Sequence, residues 1–474
     1  MVVSKHGVRL GGLTAALAAV AALACQPDRP AGLVPPLAAD RRGAAAADPG
    51  LSRLQHVVVI YLENHSFDNL YGEFPGANGL ANAAGTSTQV DGSGTPYASL
   101  PMKTGSPFPD TLPNRPFAIE QFIPATQKIP DLVHRFYQEQ QQIDGGRMDK
   151  FALVSDVRGE SMGYYRTAGL PLAAEASNYT LCDDFFHAAF GGSFLNHFWL
   201  IAARTPVFPS APSSIVAQVA SDGSLSKDGA VTPDGFAVNT LFTVNTPHPS
   251  SVPANQLVPN QTFPTIGDRL SEKGVSWAWY SGGWDDALAG HPDPLFQFHH
   301  QAFAFFANFA DGTPAKAEHL RDETEFIAAA QAGRLRAVSF VKPLGPDNEH
   351  PGYADMVTGE QHVMDLINAI RNGPDWATTA IIITYDEHGG FWDHVAPPLV
   401  DRWGPGSRVP TLVISPFAKR HFIDHNYYDT TSILALIEHR WGLAPLTDRD
   451  AQADPLSNAF EFGPGNAGQS PRTN

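Results

Sequence analysis

Two polar clusters directly follow apolar runs and carry side chains suited to binding a metal ion. Glu63-Asn64 follows the run 56–62, and Asp386-Glu387 follows the run 380–385. In open α/β sheets, ligands bind outside the carboxyl ends of the strands. Carboxylate and amide oxygens are the donors that a hard divalent cation such as Mg, Mn or Ca prefers. The clusters together predict one divalent metal site, although ordinary loop capping is an alternative for either one alone.

A hydroxyl side chain lies between these clusters in the sequence, at Ser193. It follows Gly191-Gly192 and opens an apolar, helix-like run that continues to Ala203. Free N–H groups and the helix dipole favour an anion at such a position. Ser193 is therefore a candidate nucleophile or phosphate contact, and the alternative is a simple N-cap.

Several of the 18 histidines stand in polar surroundings flanked by Gly or Pro. Protonated imidazole can neutralise phosphate oxygens and donate a proton to a leaving alkoxide, most effectively at mildly acidic pH. Each one taken singly is more often a structural residue. No HExxH motif, Cys/His zinc spacing, P-loop or GxGxxG occurs in the sequence, so nucleotide-cradling folds have no support. The candidates are His134, His299, His300, His350 and His394.

Buried strands and helical patterns alternate along the chain and must position these residues. The strand-like runs are His56–Leu62, Val275–Tyr280, Leu335–Val341, Ala380–Tyr385 and Thr411–Ile414. The helical patterns include Glu318–Ala332, Gly359–Arg371 and Thr431–Trp441. This alternation predicts a doubly wound, mostly parallel sheet with helices on both faces.

The composition is that of an acidic globular protein. The chain has 474 residues, with 31 Lys plus Arg against 48 Asp plus Glu and a formal net charge of −17. Such a charge opposes bulk binding to nucleic acid or to anionic lipid. We therefore expect no nucleic acid partner.

The N-terminal residues predict export. Residues 1–24 carry early basic residues and then an apolar run that is short for a membrane span. Ala22-Leu23-Ala24 before Cys25 fits a cleavage site and also resembles a lipoprotein acylation site. A periplasmic, secreted or lipid-anchored location follows. Membrane contact is expected only through an N-terminal lipid or a lipid substrate.

The remaining chain divides by composition. Residues 25–50 are rich in Ala, Pro and Gly and predict a flexible tether. Residues 51–457 form the predicted catalytic domain, with a loop insertion around 205–265, and residues 458–474 form a loose tail.

Three long motifs resemble the bacterial acid phosphatase and phospholipase C superfamily of metal-dependent phosphoesterases. They are ENHSFDNLYG (63–72), FHAAFGGSFLNHFWLIAA (186–203) and ITYDEHGGFWDHVAPP (383–398). The resemblance extends over roughly residues 55 to 450 and rests on motifs far longer than a short pattern.

This resemblance implies an alkaline-phosphatase-like α/β/α sandwich with three layers, one divalent cation and a phosphoserine intermediate. It makes Ser193 the nucleophile, which also contacts the metal. The other metal ligands it implies are Glu63, Asn64, Asp386 and Glu387, and the phosphate-contacting histidines are His134, His300 and His350. In relatives, an acidic residue can occupy the position of His299. His394 is expected to contact the metal ligands rather than the metal itself. Thr430 departs from the usual Asp-His-Thr-Ser segment.

The resemblance implies a small phosphoester or a phospholipid as substrate, and the predicted activity is hydrolysis of phosphate monoesters, as in an acid phosphatase. Relatives with phospholipase C activity toward phosphatidylcholine are often longer than this chain, but that activity remains the alternative. Trp279, Trp284 and Phe306 could line a choline-accepting pocket or simply belong to the core. A non-catalytic exported binding lipoprotein is the least favoured hypothesis, because every matched position keeps a chemically competent residue.

Overall fold

The computed structural model describes residues 50–221 and 223–463, and its centre is an eight-stranded sheet. The sheet order is β4-β3-β5-β1-β6-β7-β2-β8. Only β7 runs against its neighbours, and the other seven strands share one direction. In chain order the strands are β1 (His56–Leu62), β2 (Thr180–Cys182), β3 (Trp277–Ser281), β4 (Leu320–Asp322), β5 (Val338–Lys342), β6 (Thr379–Tyr385), β7 (Thr411–Ile414) and β8 (Phe422–Asp424).

Helices cover both faces of this sheet, which gives three layers. Helix α10 packs with α4 and α9, whereas α11 packs with α5 and α12. The helices are α1 (Phe67–Tyr71), α2 (Phe136–Ile143), α3 (Phe151–Val154), α4 (Pro171–Asn178), α5 (Ser193–Ala202), α6 (Ile266–Glu272), α7 (Trp284–Leu288), α8 (Pro314–His319), α9 (Glu323–Gln331), α10 (Met356–Arg371), α11 (Thr430–Trp441) and α12 (Asp448–Gln452). The predicted three-layer α/β/α class is confirmed.

The middle strands have the composition of strands covered on both faces. Six of the seven residues of β1 and all seven of β6 are buried. Polar side chains cannot be hydrated there, so β1 (HVVVIYL) and β6 (TAIIITY) are mostly apolar with little alternation, and the buried polar residues of β6 are two threonines. Their register pairs Leu62 with Tyr385, so the segments that follow these two strands leave the sheet side by side.

The structure departs from the predicted elements in two places. The pattern Glu318–Ala332 is not one helix, because β4 separates α8 from α9 and Asp322 caps α9 by accepting the Thr324 N–H. The edge strands β4 and β8, and β2 next to β8, have three residues each, too few for a periodic signal.

Several segments named from the sequence form little regular structure or lie outside the description. Among the described residues of 205–265, the regular structure is a three-residue 3-10 helix at Ala254–Gln256 and strands of two or three residues, at Gln218–Val219, Leu225–Lys227, Phe242–Thr243 and Leu257–Val258. Other two-residue strands pair Phe117–Ala118 with Gly163–Tyr164 and Phe185–Phe186 with Tyr428–Asp429. Within 458–463, Ala459 and Phe460 are buried. The predicted export signal, most of the tether and residues 464–474 lie outside the described residues.

None of the helices in the described part of the chain is both long enough and apolar enough to cross a membrane.

Candidate active site

The carboxyl ends of β1 and β6 bring the two predicted ligand clusters together. The Asp386 N–H donates to the Leu62 carbonyl at 3.1 Å, which continues the ladder by one residue beyond the strands. Glu63 and Asp386 therefore follow directly after two adjacent strands, and both residues are fully buried. This register places the two polar clusters side by side at the carboxyl ends of β1 and β6.

Asn64 sits in a turn whose backbone suits its residue type. Its φ of 68° lies in the left-handed region, which Asn tolerates better than most residues. The Asn64 N–H donates to Asp386 Oδ1 at 3.2 Å. Across from it, a Cβ on Gly389 would lie 2.0 Å from the Asn64 carbonyl oxygen, so only glycine allows the two loops to approach this closely.

Ser193 is the first residue of α5 and points at the ligand clusters. Its Oγ donates to Glu63 Oε2 at 3.0 Å and lies 3.5 Å from Asn64 Oδ1. Gly192 occupies the N-cap position, and no side chain caps the helix, so the alternative that Ser193 is an N-cap is not what the structure shows. The preceding turn passes close to α2, because a Cβ on Gly191 would lie 2.5 Å from the Phe136 nitrogen.

The electrostatics of the three carboxylates suit a cation. Burial raises the pKa of Asp386 well above its usual value, and the nearby Glu63 charge adds to this; burial and the Asp386 charge do the same to the pKa of Glu387. Asp386 Oδ2 and Glu387 Oε1 are buried and accept no hydrogen bond from the described part of the chain. Buried oxygens with raised proton affinity are the donors that a divalent cation would satisfy. The residues present therefore fit the metal that the sequence predicts.

His134 and His350 hold the Asn64 side chain in one orientation. Each imidazole donates through Nδ1 to a backbone carbonyl, that of Leu132 or Pro351. In the neutral rings Nε2 is then an acceptor, and both Nε2 atoms receive the Asn64 Nδ2 group, at 3.2 and 3.1 Å. The amide oxygen is left facing Ser193 Oγ.

The second histidine pair lies on the other side of Glu63. His300 Nε2 is 2.9 Å from Glu63 Oε1, and burial lowers the pKa of His300 to about 4. Burial acts against ionisation of Glu63, but the charges of His300 and Lys342 outweigh it and hold the Glu63 pKa well below its usual value. His299 is buried beside His300, with ring centroids 4.6 Å apart.

Two further residues contact this site, and sequence reasoning missed both. Lys342, the last residue of β5, is fully buried with its Nζ against Glu63 Oε1. His197 stacks on His300 at 4.9 Å and bonds through Nδ1 to the Ser193 carbonyl at 2.7 Å. His197 could have been found from the sequence, because position 197 lies one helical turn after the nucleophile candidate. Lys342 can be recognised as a site residue only once β5 is known to lie beside β1.

The remaining predicted residues lie further from this centre. His394 bonds through Nδ1 to Asp68 Oδ2 at 2.6 Å, next to the buried Arg408. Thr430 Oγ1 accepts the Ala188 N–H at 3.1 Å and so supports the segment that leads to Ser193.

Comparison with known proteins identifies the family. The sequence profile of the Phosphoesterase family matches residues 54–444, which is most of the chain. The chain belongs to the Phosphoesterase family. Membership confirms the resemblance given by the motifs and the predicted class, a hydrolase acting on phosphoric esters.

The similar proteins include bacterial phospholipases C. The chain is 24% identical to the non-hemolytic phospholipase C of Pseudomonas aeruginosa, over 87% of this chain and 58% of that one. It is 25% identical to phospholipase C B of Mycobacterium tuberculosis, over 91% of this chain and 82% of that one. The chain thus spans little more than half the length of the Pseudomonas relative.

Among solved structures, the chain resembles a protein in the alkaline phosphatase superfamily from Vibrio parahaemolyticus. The identity is 10% and the TM-score 0.35, with 71% of this chain and 73% of that one covered.

Proposed function

We propose that this protein is a metal-dependent phosphoesterase that uses Ser193 as its nucleophile. The observation that carries the proposal is the position of Ser193 Oγ, 3.0 Å from Glu63 Oε2 and 3.5 Å from Asn64 Oδ1 at a helix N-terminus. A hydroxyl used only for capping would turn back to its own helix. Here the hydroxyl faces the acceptors of a metal site instead.

The residues that would hold the cation are Glu63, Asn64, Asp386, Glu387 and Ser193. When bound, a divalent cation of the Mg, Mn or Ca class would lower the pKa of a hydroxyl and offset the negative charge of a phosphoryl group. Glu63 Oε2 holds Ser193 Oγ in position through the 3.0 Å hydrogen bond. No side chain caps the start of α5, and free N–H groups at a helix N-terminus favour an anionic phosphoryl group beside Oγ.

The proposed reaction is two successive displacements at phosphorus. The bond from Ser193 Oγ to phosphorus forms as the bond to the leaving oxygen breaks, and water then hydrolyses the phosphoserine. Positioning and charge stabilisation supply most of the catalysis in phosphoryl transfer. A general acid must protonate the leaving alkoxide, and His300 is our candidate. His134 and His350 are held beside the site by the hydrogen bonds that their Nε2 atoms make with the Asn64 side chain.

The structure changes the expected pH dependence of these histidines. Burial lowers the pKa of His300 to about 4, so this ring is neutral over most of the range in which an ordinary histidine is charged, and burial also lowers the pKa of His350. If a charged His300 is required, activity declines as pH rises above about 4 rather than above the ordinary value of about 6.5.

Two substrates fit a site of this kind. Phosphate monoesters remain the first candidate. A phosphatidylcholine-type phosphodiester is the second, and the two relatives named above, both phospholipases C, favour phospholipase C activity of this kind. Trp279, Trp284 and Phe306, which the sequence offered for a choline pocket, are all buried in the core. They give the second candidate no support.

Parallel assays separate the candidates. Hydrolysis of p-nitrophenyl phosphate and of p-nitrophenyl phosphorylcholine is measured from acidic to alkaline pH, with and without chelator, for the wild type and for Ser193→Ala. Faster release from the monoester supports the phosphatase, and faster release from the diester supports the phospholipase C. Inactivity of the wild type on both substrates contradicts the proposal and favours the non-catalytic lipoprotein. Activity that survives Ser193→Ala contradicts the role of Ser193 as the nucleophile.

We also propose that the chain is exported, on the basis of residues 1–24. Mass analysis of the mature N-terminus tests this: a chain starting at Cys25 indicates cleavage, with added mass if the cysteine is acylated. Retention of residues 1–24 in the mature protein contradicts export by this route.

A further inference from the structure

The two oxygens of Glu63 face different partners. Oε2 accepts the Ser193 hydroxyl at 3.0 Å. Oε1 contacts the Lys342 ammonium and lies 2.9 Å from His300 Nε2. One oxygen of the carboxylate thus accepts a hydrogen bond from the nucleophile candidate, and the other contacts a buried positive charge.

Lys342 is placed so that its charge acts on Glu63. Strand β5 lies beside β1 in the sheet, with Val341 opposite Ile60, so Lys342 leaves β5 close to the end of β1. The side chain is fully buried, its Nζ lies 3.3 Å from the Leu62 carbonyl oxygen, and it stands 5.2 Å from the centre of the Tyr61 ring. The Glu63 carboxylate is the only anionic group with which the structure pairs this ammonium among the described residues.

The charges at the site balance only if Lys342 is counted. Glu63, Asp386 and Glu387 are three buried carboxylates. A single divalent cation would leave one negative charge uncompensated in an interior where unpaired charge is strongly disfavoured. The Lys342 ammonium supplies the missing positive charge.

The same region has the ligands for a second metal ion. Glu63, His197 and His300 each offer one ligand atom, and these atoms lie within 4.8 Å of one another. The two imidazoles are stacked with an angle of 2° between their planes, and His197 Nε2 has no hydrogen-bond partner among the described residues. Carboxylate and imidazole together suit Mn²⁺ or Zn²⁺.

We propose that Lys342 is the built-in second cation of this site. Its ammonium occupies the coordination position at Glu63 Oε1 and prevents a metal ion from binding to Glu63, His197 and His300, which limits the site to one divalent cation. A divalent ion at these ligands would meet the Lys342 charge at the shared oxygen, without intervening water to screen the repulsion. Lys342 is thus a positioning residue that sets the metal content. The inference depends on the proposed metal-dependent function.

Metal stoichiometry tests the inference without any substrate. The purified chain is stripped with chelator and titrated with Mn²⁺, and free Mn²⁺ is followed by electron paramagnetic resonance. We expect one equivalent in the wild type and two in Lys342→Met, which keeps the length of the side chain and removes its charge. The double variant Lys342→Met/His197→Phe returns to one equivalent, because it loses a ligand of the second site.

The outcomes separate this inference from the function on which it rests. A wild type that binds two equivalents, or a folded Lys342→Met that still binds one, overturns the role of Lys342 and leaves the proposed function intact. A wild type that binds no Mn²⁺ or other divalent cation overturns the proposed function itself. If Lys342→Met does not fold, Lys342→Gln takes its place and has the same two outcomes.

Discussion

At the scale of single residues, the site is organised around the Asn64 side chain. Its amide nitrogen is shared by His134 and His350, and its amide oxygen faces the Ser193 hydroxyl. Because both imidazoles are fixed by backbone carbonyls, Asn64 has one satisfactory orientation. A neutral amide held in this way presents an oxygen to a cation and adds no further negative charge beside three carboxylates.

The carboxylate Asp386 gives the residue-scale prediction for metal binding. Asp386→Asn removes one charge but keeps an oxygen that can accept the Asn64 N–H, so the turn is preserved. We expect Mn²⁺ affinity to fall by about 10–100-fold with an unchanged circular dichroism spectrum. Isothermal titration calorimetry measures the affinity, and Asp365→Asn, an exposed carboxylate on α10, is the matched control. Equal affinities in Asp386→Asn and the control would show that Asp386 is not a ligand.

At the scale of elements, Glu139 of α2 links the segments that carry the site. The buried Glu139 carboxylate accepts the Gly191 N–H at 2.5 Å, the His187 Nε2–H at 2.8 Å and the Ser407 N–H at 2.9 Å. Its Oε1 lies 3.5 Å from His388, the residue after Glu387. Burial opposes its ionisation, but the charges of His187 and His388 lower the pKa of Glu139 to about 2. An ionised Glu139 thus anchors the turn that positions Ser193.

Replacing Glu139 by glutamine gives the element-scale prediction. In glutamine an NH2 group replaces one carboxylate oxygen, so a donor would face an N–H group that Glu139 now accepts. The turn at Gly191 must therefore shift. We expect a loss of roughly 1.5–3 kcal/mol in the free energy of unfolding and a roughly 10–100-fold fall in kcat with unchanged Mn²⁺ affinity. Steady-state kinetics and denaturant titration measure these effects. Gln140→Ala is the control, since its side chain bonds only within its own helix, to the Phe136 carbonyl. A kcat equal to that of the control contradicts the anchoring role.

Elements with a strong local signal could be predicted from the sequence, and contacts made across the sheet could not. The run His56–Leu62 is a strand with those bounds, because a strand buried on both faces is a mostly apolar run without alternation. The ligand clusters at the ends of β1 and β6 follow from the same logic. Lys342 and Glu139 were missed because their partners lie far away in sequence and meet them only through strand order and helix packing.

At the scale of the whole molecule, buried acidic residues away from the site couple stability to pH. Glu360 of α10 is buried near Glu349, and burial raises the pKa of Glu360 to about 8. Burial and the Glu360 charge also raise the pKa of Glu349. Between about 4.5 and 8 the folded chain therefore keeps a proton that the unfolded chain releases. Stability contributed by this proton is complete at the low end of that range and is lost as pH rises through it.

Glu360→Gln removes this proton linkage and gives the prediction at this scale. The amide oxygen can still accept the Leu172 N–H, as Glu360 Oε2 does at 2.8 Å. We expect the wild-type Tm to fall between pH 5 and pH 8 by several degrees more than the Tm of Glu360→Gln. Differential scanning calorimetry at both pH values measures this, with Asp365→Asn as the control on the same helix. Parallel pH dependence in all three proteins contradicts the raised pKa of Glu360.

The most direct test of the central claim is to trap the phosphorylated enzyme. The wild type is mixed with p-nitrophenyl phosphate and p-nitrophenyl phosphorylcholine in separate reactions, quenched in acid within one turnover, and digested for peptide mass spectrometry. We predict phosphate or phosphorylcholine on Ser193 in the reaction with the productive substrate, and none in Ser193→Ala, whose kcat falls by roughly 10³-fold or more. Turnover by the wild type with no modification at Ser193, or with modification at another residue, would contradict the account.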